Sequence, residues 1–228
     1  MIMSTFSINK NFGNSGFIDS LNGNALILLD DGSIIISDSN LIGIKKLSSS
    51  GLEVSGIFKG IDSAPTFSDA IQVNGKYVFS ANNLFFSSFN FDGTANTSFG
   101  SDGILNLDIR GTQEWDPILL SNNSSGFYVA VTVDGNSTSG KGRDICIVKI
   151  NNAGVIDQTF AKNGVFTFDK YNLDDQVYSF IGLSDGSMLI GGASYGGNWS
   201  GQIIKLDSTG NLISVSYTHL TLPTSDLV

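Results

Sequence analysis

The sequence predicts an all-β fold, an array of four antiparallel sheets, and three observations carry that reading. Gly, Ser, Asn and Asp make up 99 of the 228 residues, against nine Ala and two Glu, so turn formers are abundant and strong helix formers scarce. Apolar residues are 41% of the chain and include 16 Phe, which is enough for a core and too much for a disordered Gly/Ser/Asn chain. Asp-Gly turns between short apolar runs recur along the chain, and such turns join antiparallel strands because Gly takes a positive φ without steric cost.

Three features repeat in a fixed order, and each predicts an element. The first is Phe-Gly/Ala-x-x-Gly leading into a short apolar strand: Phe12 to Gly16, Phe99 to Gly103 and Phe160 to Gly164. The second is a hairpin, Leu29-Asp-Asp-Gly-Ser-Ile-Ile-Ile36 and Leu183-Ser-Asp-Gly-Ser-Met-Leu-Ile190, turning at Gly32 and Gly186, with looser versions at Gly75 and Gly126. The third is an alternating strand running into a Gly turn, at Gly51, Gly93, Gly154 and Gly210. The repeat divides residues 1–214 into units of about 12–51, 52–93, 94–154 and 155–213. Each unit has the length of one four-stranded sheet. A single sheet cannot bury both faces, so the units stack, with the repeated Phe12, Phe99 and Phe160 packed between them.

These motifs resemble the bacterial delta-sixty repeat family, whose units run approximately Leu-Asp-x-Ser-Phe-Gly-x-x-Gly, a hairpin, then Arg/Lys-Leu-Asp-x-x-Gly. Gly93 to Gly103, Gly154 to Gly164 and Lys205-Leu-Asp-Ser-Thr-Gly210 carry the resemblance. It implies a β-propeller-like array of four blades, an incomplete ring, in an exported or surface protein with no general activity. Unit two departs from the pattern. Six residues beyond Gly51 stands Ile57, beside Phe58, with no Gly at the required spacing, so this blade is expected to be irregular.

A second resemblance concerns the end of the chain. Val215-Ser-Tyr-Thr-His-Leu-Thr-Leu-Pro-Thr224 is similar to a translated transposase adaptor of sequencing libraries. That implies a non-native tail at residues 215–228, a metagenomic source and a natural gene continuing as x-[Thr/Ser]-Phe-[Gly/Ala]-x-x-Gly. The tail holds His219, the only histidine, so residues 1–214 have none. Because Val215 to Leu220 alternates, a strand is expected there whatever its origin.

Composition also excludes function classes. With a net charge of −9 and twelve scattered Lys and Arg, the chain has no basic stripe for a phosphate backbone, so no nucleic-acid partner is expected. Cys146 stands alone in an apolar run and reads as a core residue. No segment is apolar enough for a membrane span, and the first ten residues lack a signal peptide's basic and apolar regions. Nucleophilic triads need a base that residues 1–214 do not supply, and no catalytic residue is assigned. The pairs Asp30-Asp31 and Asp174-Asp175 read as turn carboxylates. The oxygen-rich segments Asp169 to Asp175 and Asp92 to Asn96 have donors suited to Ca²⁺, but Asp/Asn turns alone account for them, so no metal ligand or cofactor is assigned.

Two Gly-rich stretches, Gly135 to Gly142 and Gly191 to Gly197, read as connections on one rim. Trp199, just past the second of these in Gly196-Gly-Asn-Trp-Ser-Gly201, reads either as a rim residue covering a blade edge or as the one candidate ligand contact, a stacking surface for a sugar or peptide, while Trp115 reads as packed at a strand start. The functional expectation is a non-catalytic binding or scaffold module with a protein or glycan partner. The alternatives are an enzymatic propeller, such as a calcium-dependent lactonase or hydrolase, and a structural repeat of a surface adhesin.

Overall fold

The computed structural model describes residues 9–18, 21, 23–38, 43–54, 66–109, 114–121, 125–134, 142–170 and 172–218. Every described strand belongs to one of four antiparallel meanders whose strands pair in chain order. Sheet one holds β1 (Leu26–Leu28), β2 (Ile34–Asp38), β3 (Gly43–Leu47) and β4 (Glu53–Val54). Sheet two holds β5 (Phe67–Val73), β6 (Lys76–Ala81), β7 (Phe85–Asn90) and β8 (Ile104–Asn106). Sheet three holds β9 (Glu114–Ser121), β10 (Phe127–Asp134), β11 (Arg143–Ile150) and β12 (Val165–Phe168). Sheet four holds β13 (Asp175–Gly182), β14 (Met188–Tyr195), β15 (Trp199–Leu206) and β16 (Leu212–Thr218).

The first strands β1, β5, β9 and β13 pack in sequence on one another, and among the described residues no comparable packing joins β13 back to β1, so the described array is open. Three apolar layers fill the spaces between sheets. Ile27, Ile35 and Ile44 of sheet one meet Phe67, Tyr77 and Phe79 of sheet two. Val78 and Phe86 of sheet two meet Phe127, Val129 and Val131 of sheet three. Tyr128, Ile145 and Ile147 of sheet three meet Val177, Met188 and Ile190 of sheet four. Sheet three is therefore buried on both faces, which is why Phe127–Val131 reads as a continuous apolar run rather than an alternating one. Cys146 lies in the second layer, fully buried, as its sequence context predicts.

Phase is where the sheets depart from the repeat units. Each unit was expected to be one sheet, but the strand after each Phe-Gly turn pairs backwards: Ile104 and Leu105 lie beside Ser87 and Phe86, and Val165 and Phe166 beside Val148 and Ile147. A unit thus donates the outer strand of one sheet and the three inner strands of the next, so covalent connection and sheet pairing overlap along the array.

The Phe-Gly turn itself is a clasp. In all three copies the last Gly N–H donates to the Phe carbonyl: Gly16 to Phe12, Gly103 to Phe99 and Gly164 to Phe160, at 2.7, 2.9 and 2.7 Å. The residue after each Phe then donates its N–H to the Gly turn of the next sheet. Gly13 reaches Ser50 at 2.8 Å, Gly100 reaches Ala153 at 2.9 Å and Ala161 reaches Thr209 at 2.7 Å. Ile57 and Phe58, where unit two lacks the motif, lie outside the described residues.

Hairpin turns are of two kinds. Asn74 and Gly75 both have positive φ between the paired residues Val73 and Lys76, a two-residue turn. Gly32 and Gly186 instead close three-residue loops, in which the Leu29 and Leu183 N–H groups donate to the Ser33 and Ser187 carbonyls across the turn, at 2.9 and 2.8 Å.

Candidate functional site

The strand starts of β9, β11, β13 and β15 and the strand ends of β10, β12 and β14 share one rim, opposite the Phe-Gly clasps. Trp199 opens β15 and Tyr195 closes β14, and the antiparallel register sets them directly across from each other. Their rings stand 5.5 Å apart at 55°, and they are 49% and 39% exposed, large apolar surfaces left in solvent. In the turn between them, Gly196-Gly197-Asn198, no described residue comes within 4 Å of either glycine's missing side chain. Tyr195 N–H donates to the Asp174 carbonyl at 2.7 Å, which fixes the base of the turn to β13.

The sequence places Trp199 in a long Gly-rich connection, and here the structure corrects it. Gly191 to Tyr195 belong to β14, leaving only three residues in the loop. Glycine is required within this strand because β13 bulges between Val177 and Ser179. A side chain at Gly192 would meet the Gln176 carbonyl, and one at Gly191 would meet the Ser179 hydroxyl. Asp134 and Gly142 bring the ends of β10 and β11 to the same rim; residues 135–141 lie outside the described residues. Trp115 sits on β9 with the Arg143 guanidinium 4.6 Å over its ring, a strand-start packing as expected.

Beside the aromatic pair, Asp144, Asp169 and Asp175 place one carboxylate oxygen each within 4.8 Å of one another. Asp144 and Asp175 are buried and Asp169 is exposed. Spacing brings Asp169 and Asp175 together, but Asp144 comes from β11 and no pattern in the sequence links it to them. Asp175 is not the turn carboxylate that its place in a polar segment suggests. It begins β13, accepts the Lys170 N–H at 2.6 Å and the Ser194 hydroxyl, and Ser194 also bonds Gln202 Oε1 at 2.8 Å. Burial pushes its pKa up, while the bonds from Ser194 and Lys170 oppose that shift. Its neighbour Asp174 accepts the Arg143 N–H at 3.0 Å, tying β13 to β11. Of the trio, Asp175 is bonded to Ser194 on its own sheet and to the Lys170 N–H, and Asp169 accepts the Asn172 N–H at 2.9 Å within the connection between sheets three and four. The other oxygen-rich segment is a turn, with Asp92 accepting both the N–H and the hydroxyl of Thr94.

Gly32, Gly154, Gly186 and Gly210 all sit at positive φ in turns, and Phe99 and Phe160 are fully buried in the inter-sheet layers. The acidic residues of these turns share one device. Asp31, Asp92, Asp157, Asp185 and Asp207 each accept the N–H and hydroxyl of the Ser or Thr two residues on, which holds every one of them below the usual carboxylate range.

Asp157 and Asp207 are both lowered to about 2, and at Asp157 the chief cause is an ion pair: Lys149 lies 2.8 Å away and acts with Thr159. A depressed carboxylate contributes stability above its unfolded pKa of 3.8 and loses it as pH falls towards the folded value. Stability is therefore expected to fall between pH 4 and 2. Asp157→Asn, which keeps the Thr159 acceptor but discharges the Lys149 partner, lowers stability at neutral pH by about 1 kcal/mol after solvent screening. It also flattens the acid limb of urea-unfolding midpoints measured against pH; an unchanged limb would remove Asp157 as a source of it.

No protein-family model and no curated protein matches the chain. Among solved structures it is similar to a streptogramin B lyase, with a TM-score of 0.50 and 17% identity over 87% of this chain and 54% of that one. It is also similar to virginiamycin B lyase from Staphylococcus aureus, at 0.47 and 10% over 90% of this chain and 72% of that one. BamB from Moraxella catarrhalis matches at 0.42 and 7% over 90% and 66% of the respective chains. The chain spans about half the length of the streptogramin B lyase. The streptogramin B lyase is a β-propeller protein, and at 17% identity the likeness bears on fold alone: the four sheets are blades of a propeller scaffold, as the sequence predicts.

Proposed function

We propose that the chain is a non-catalytic binding module whose ligand contact is the exposed pair Tyr195 and Trp199, and that the ligand is a glycan or the aromatic or proline-rich face of a protein. The observation that supports this reading is the pair itself, two half-exposed rings held in register by a strand pair at the end of a three-residue turn. Aromatic rings so placed offer a rigid apolar surface with a polar edge, at low cost in ordering. Nearby, Asp169, Asp174 and Asp175 accept backbone or hydroxyl donors, which supports binding over acid–base chemistry. The two glutamates belong to different sheets: Glu53 pairs with Lys45 at 3.1 Å on sheet one, and Glu114 is buried at the start of β9 in sheet three.

The same proposal takes the repeats as those of a bacterial delta-sixty protein and residues 215–228 as adaptor-derived. In the structure Val215 to Thr218 extend β16 opposite Ile204 to Gly201, as the alternation anticipates; His219 and Pro223 lie outside the described residues. Amplifying the source DNA across this junction tests that part.

Binding is tested by an oligosaccharide and peptide array read with the intact chain and with Trp199→Ala. The expected result is at least a tenfold loss of affinity in Trp199→Ala for whichever ligand the parent retains, with unchanged thermal unfolding. Equal retention by parent and variant would sink the role of Trp199. Calcium-dependent turnover of a lactone or ester substrate panel would favour the enzymatic propeller instead.

A further inference from the structure

We propose that the chain associates head to tail with a second copy of itself, the free face of sheet four in one copy stacking on the free face of sheet one in the next. Each internal sheet presents one face to the sheet before it and the other to the sheet after it, and the strand registers make the faces of the end sheets identifiable position by position. On sheet four, Ile203 occupies the place that Ile147 holds on sheet three, and Leu189 that of Tyr128, because Met188 pairs with Leu206 as Phe127 pairs with Ile150. Ile147 is 0% exposed beneath sheet four, whereas Ile203 is 48% exposed. Ile181, beside Leu189, is likewise more than half exposed.

Sheet one shows the complementary face. Leu26 pairs with Ile36 as Leu119 pairs with Val129, yet Leu119 is 6% exposed against sheet two and Leu26 is 52% exposed. Leu28 extends this apolar strip. The clasp that belongs at such a junction is already in place on sheet one: the Phe12 turn sits on the Gly51 turn through the Gly13 to Ser50 bond. Phe12 is only half-buried, where Phe99 and Phe160, each with a sheet on both sides, are fully buried.

The two faces are thus the separate halves of an interface the chain forms three times within itself. A second copy supplies both halves in the right polarity. Charge agrees with this pairing. On the sheet-one face the exposed Glu53 stands 3.1 Å from Lys45, whose other contact is the buried Asp38 at 3.3 Å, while the sheet-four face carries Lys205. Such a contact is heterologous: it uses two different patches, so it closes into a ring or grows as a filament rather than stopping at a symmetric pair.

Sedimentation velocity of the intact 228-residue chain from about 1 to 200 μM tests it. The expected result is a mass that rises with concentration to at least twice that of the monomer. Leu26→Asp and Ile203→Asp each blocks one half, and both sites are exposed in the monomer, so circular dichroism and thermal unfolding stay as in the parent. Each variant alone is expected to remain monomeric at every concentration. Mixed in equal amounts, they retain one good face each and form a 1:1 dimer and nothing larger. A parent that is monomeric throughout overturns the proposal, as when a different protein covers these faces; so does association that survives either substitution, or a mixture that stays monomeric.

Discussion

Phe160→Ala is expected to lower the unfolding free energy by about 3–5 kcal/mol, the range for emptying a large aromatic from a packed core. Phe160 is buried between sheets three and four with the Tyr128 ring 5.3 Å away, inside the layer that includes Ile147, Ile190 and Leu206. Its loss opens a cavity that backbone cannot fill, because the Phe160 carbonyl is tied to Gly164 and Ala161 to Thr209. The same substitution at Phe12 is expected to cost only about 1–2 kcal/mol, since Phe12 has the clasp but a sheet on one side only. Urea midpoints of the two variants against the parent decide it. Equal losses would mean that the hydrogen-bonded turn, and not the buried ring, holds neighbouring sheets together.

Much of this arrangement was legible in the sequence because its constraints are local. Phe and Gly four residues apart mark a turn that needs positive φ three times, at Gly100, Asp102 and Gly103 in one copy and at Ala161, Asn163 and Gly164 in another. Gly tolerates it freely and Asn and Asp better than other residues, while Ala161 takes it at a cost in strain. The phase of the sheets was not legible for a different reason: a repeat has no origin, and whether β8 joins the sheet before or after it depends on which edge is free, Ser87 and Phe86 on β7 being the one within reach. At the candidate site, Trp199 stands out by composition, but its partner Tyr195 and the shortness of the turn depend on Gly191 and Gly192 being strand residues. Glycines in a strand read as loop unless the bulge they face, on β13, is known. Asp144 is hidden for a comparable reason, since it starts an apolar run and meets Asp169 and Asp175 only through pairing across two sheets.

Gly154→Ala separates the demands of a turn from those of the junction between sheets. Gly154 and Gly186 both have positive φ, 73° and 81°, so an added methyl costs each about 1–2 kcal/mol in backbone strain alone. At Gly186 that methyl would find only the Ser208 Cβ, at 3.4 Å, and strain is the whole effect. At Gly154 it would lie 2.8 Å from the Gly100 amide nitrogen and 3.2 Å from the Phe99 ring, inside the clasp where Gly100 N–H donates to the Ala153 carbonyl at 2.9 Å. Backbone on both sides cannot yield without lengthening that bond or lifting Phe99 out of its layer. Gly154→Ala is therefore expected to destabilise by about 3–4 kcal/mol, roughly 2 kcal/mol more than Gly186→Ala, the excess being the loss of one inter-sheet hydrogen bond and displaced aromatic packing. Hydrogen exchange should locate the excess at the Gly100 amide. Equal destabilisation by both substitutions, with Gly100 protected as in the parent, would show that the turn glycines are kept for their φ and that the contact with the clasp is incidental.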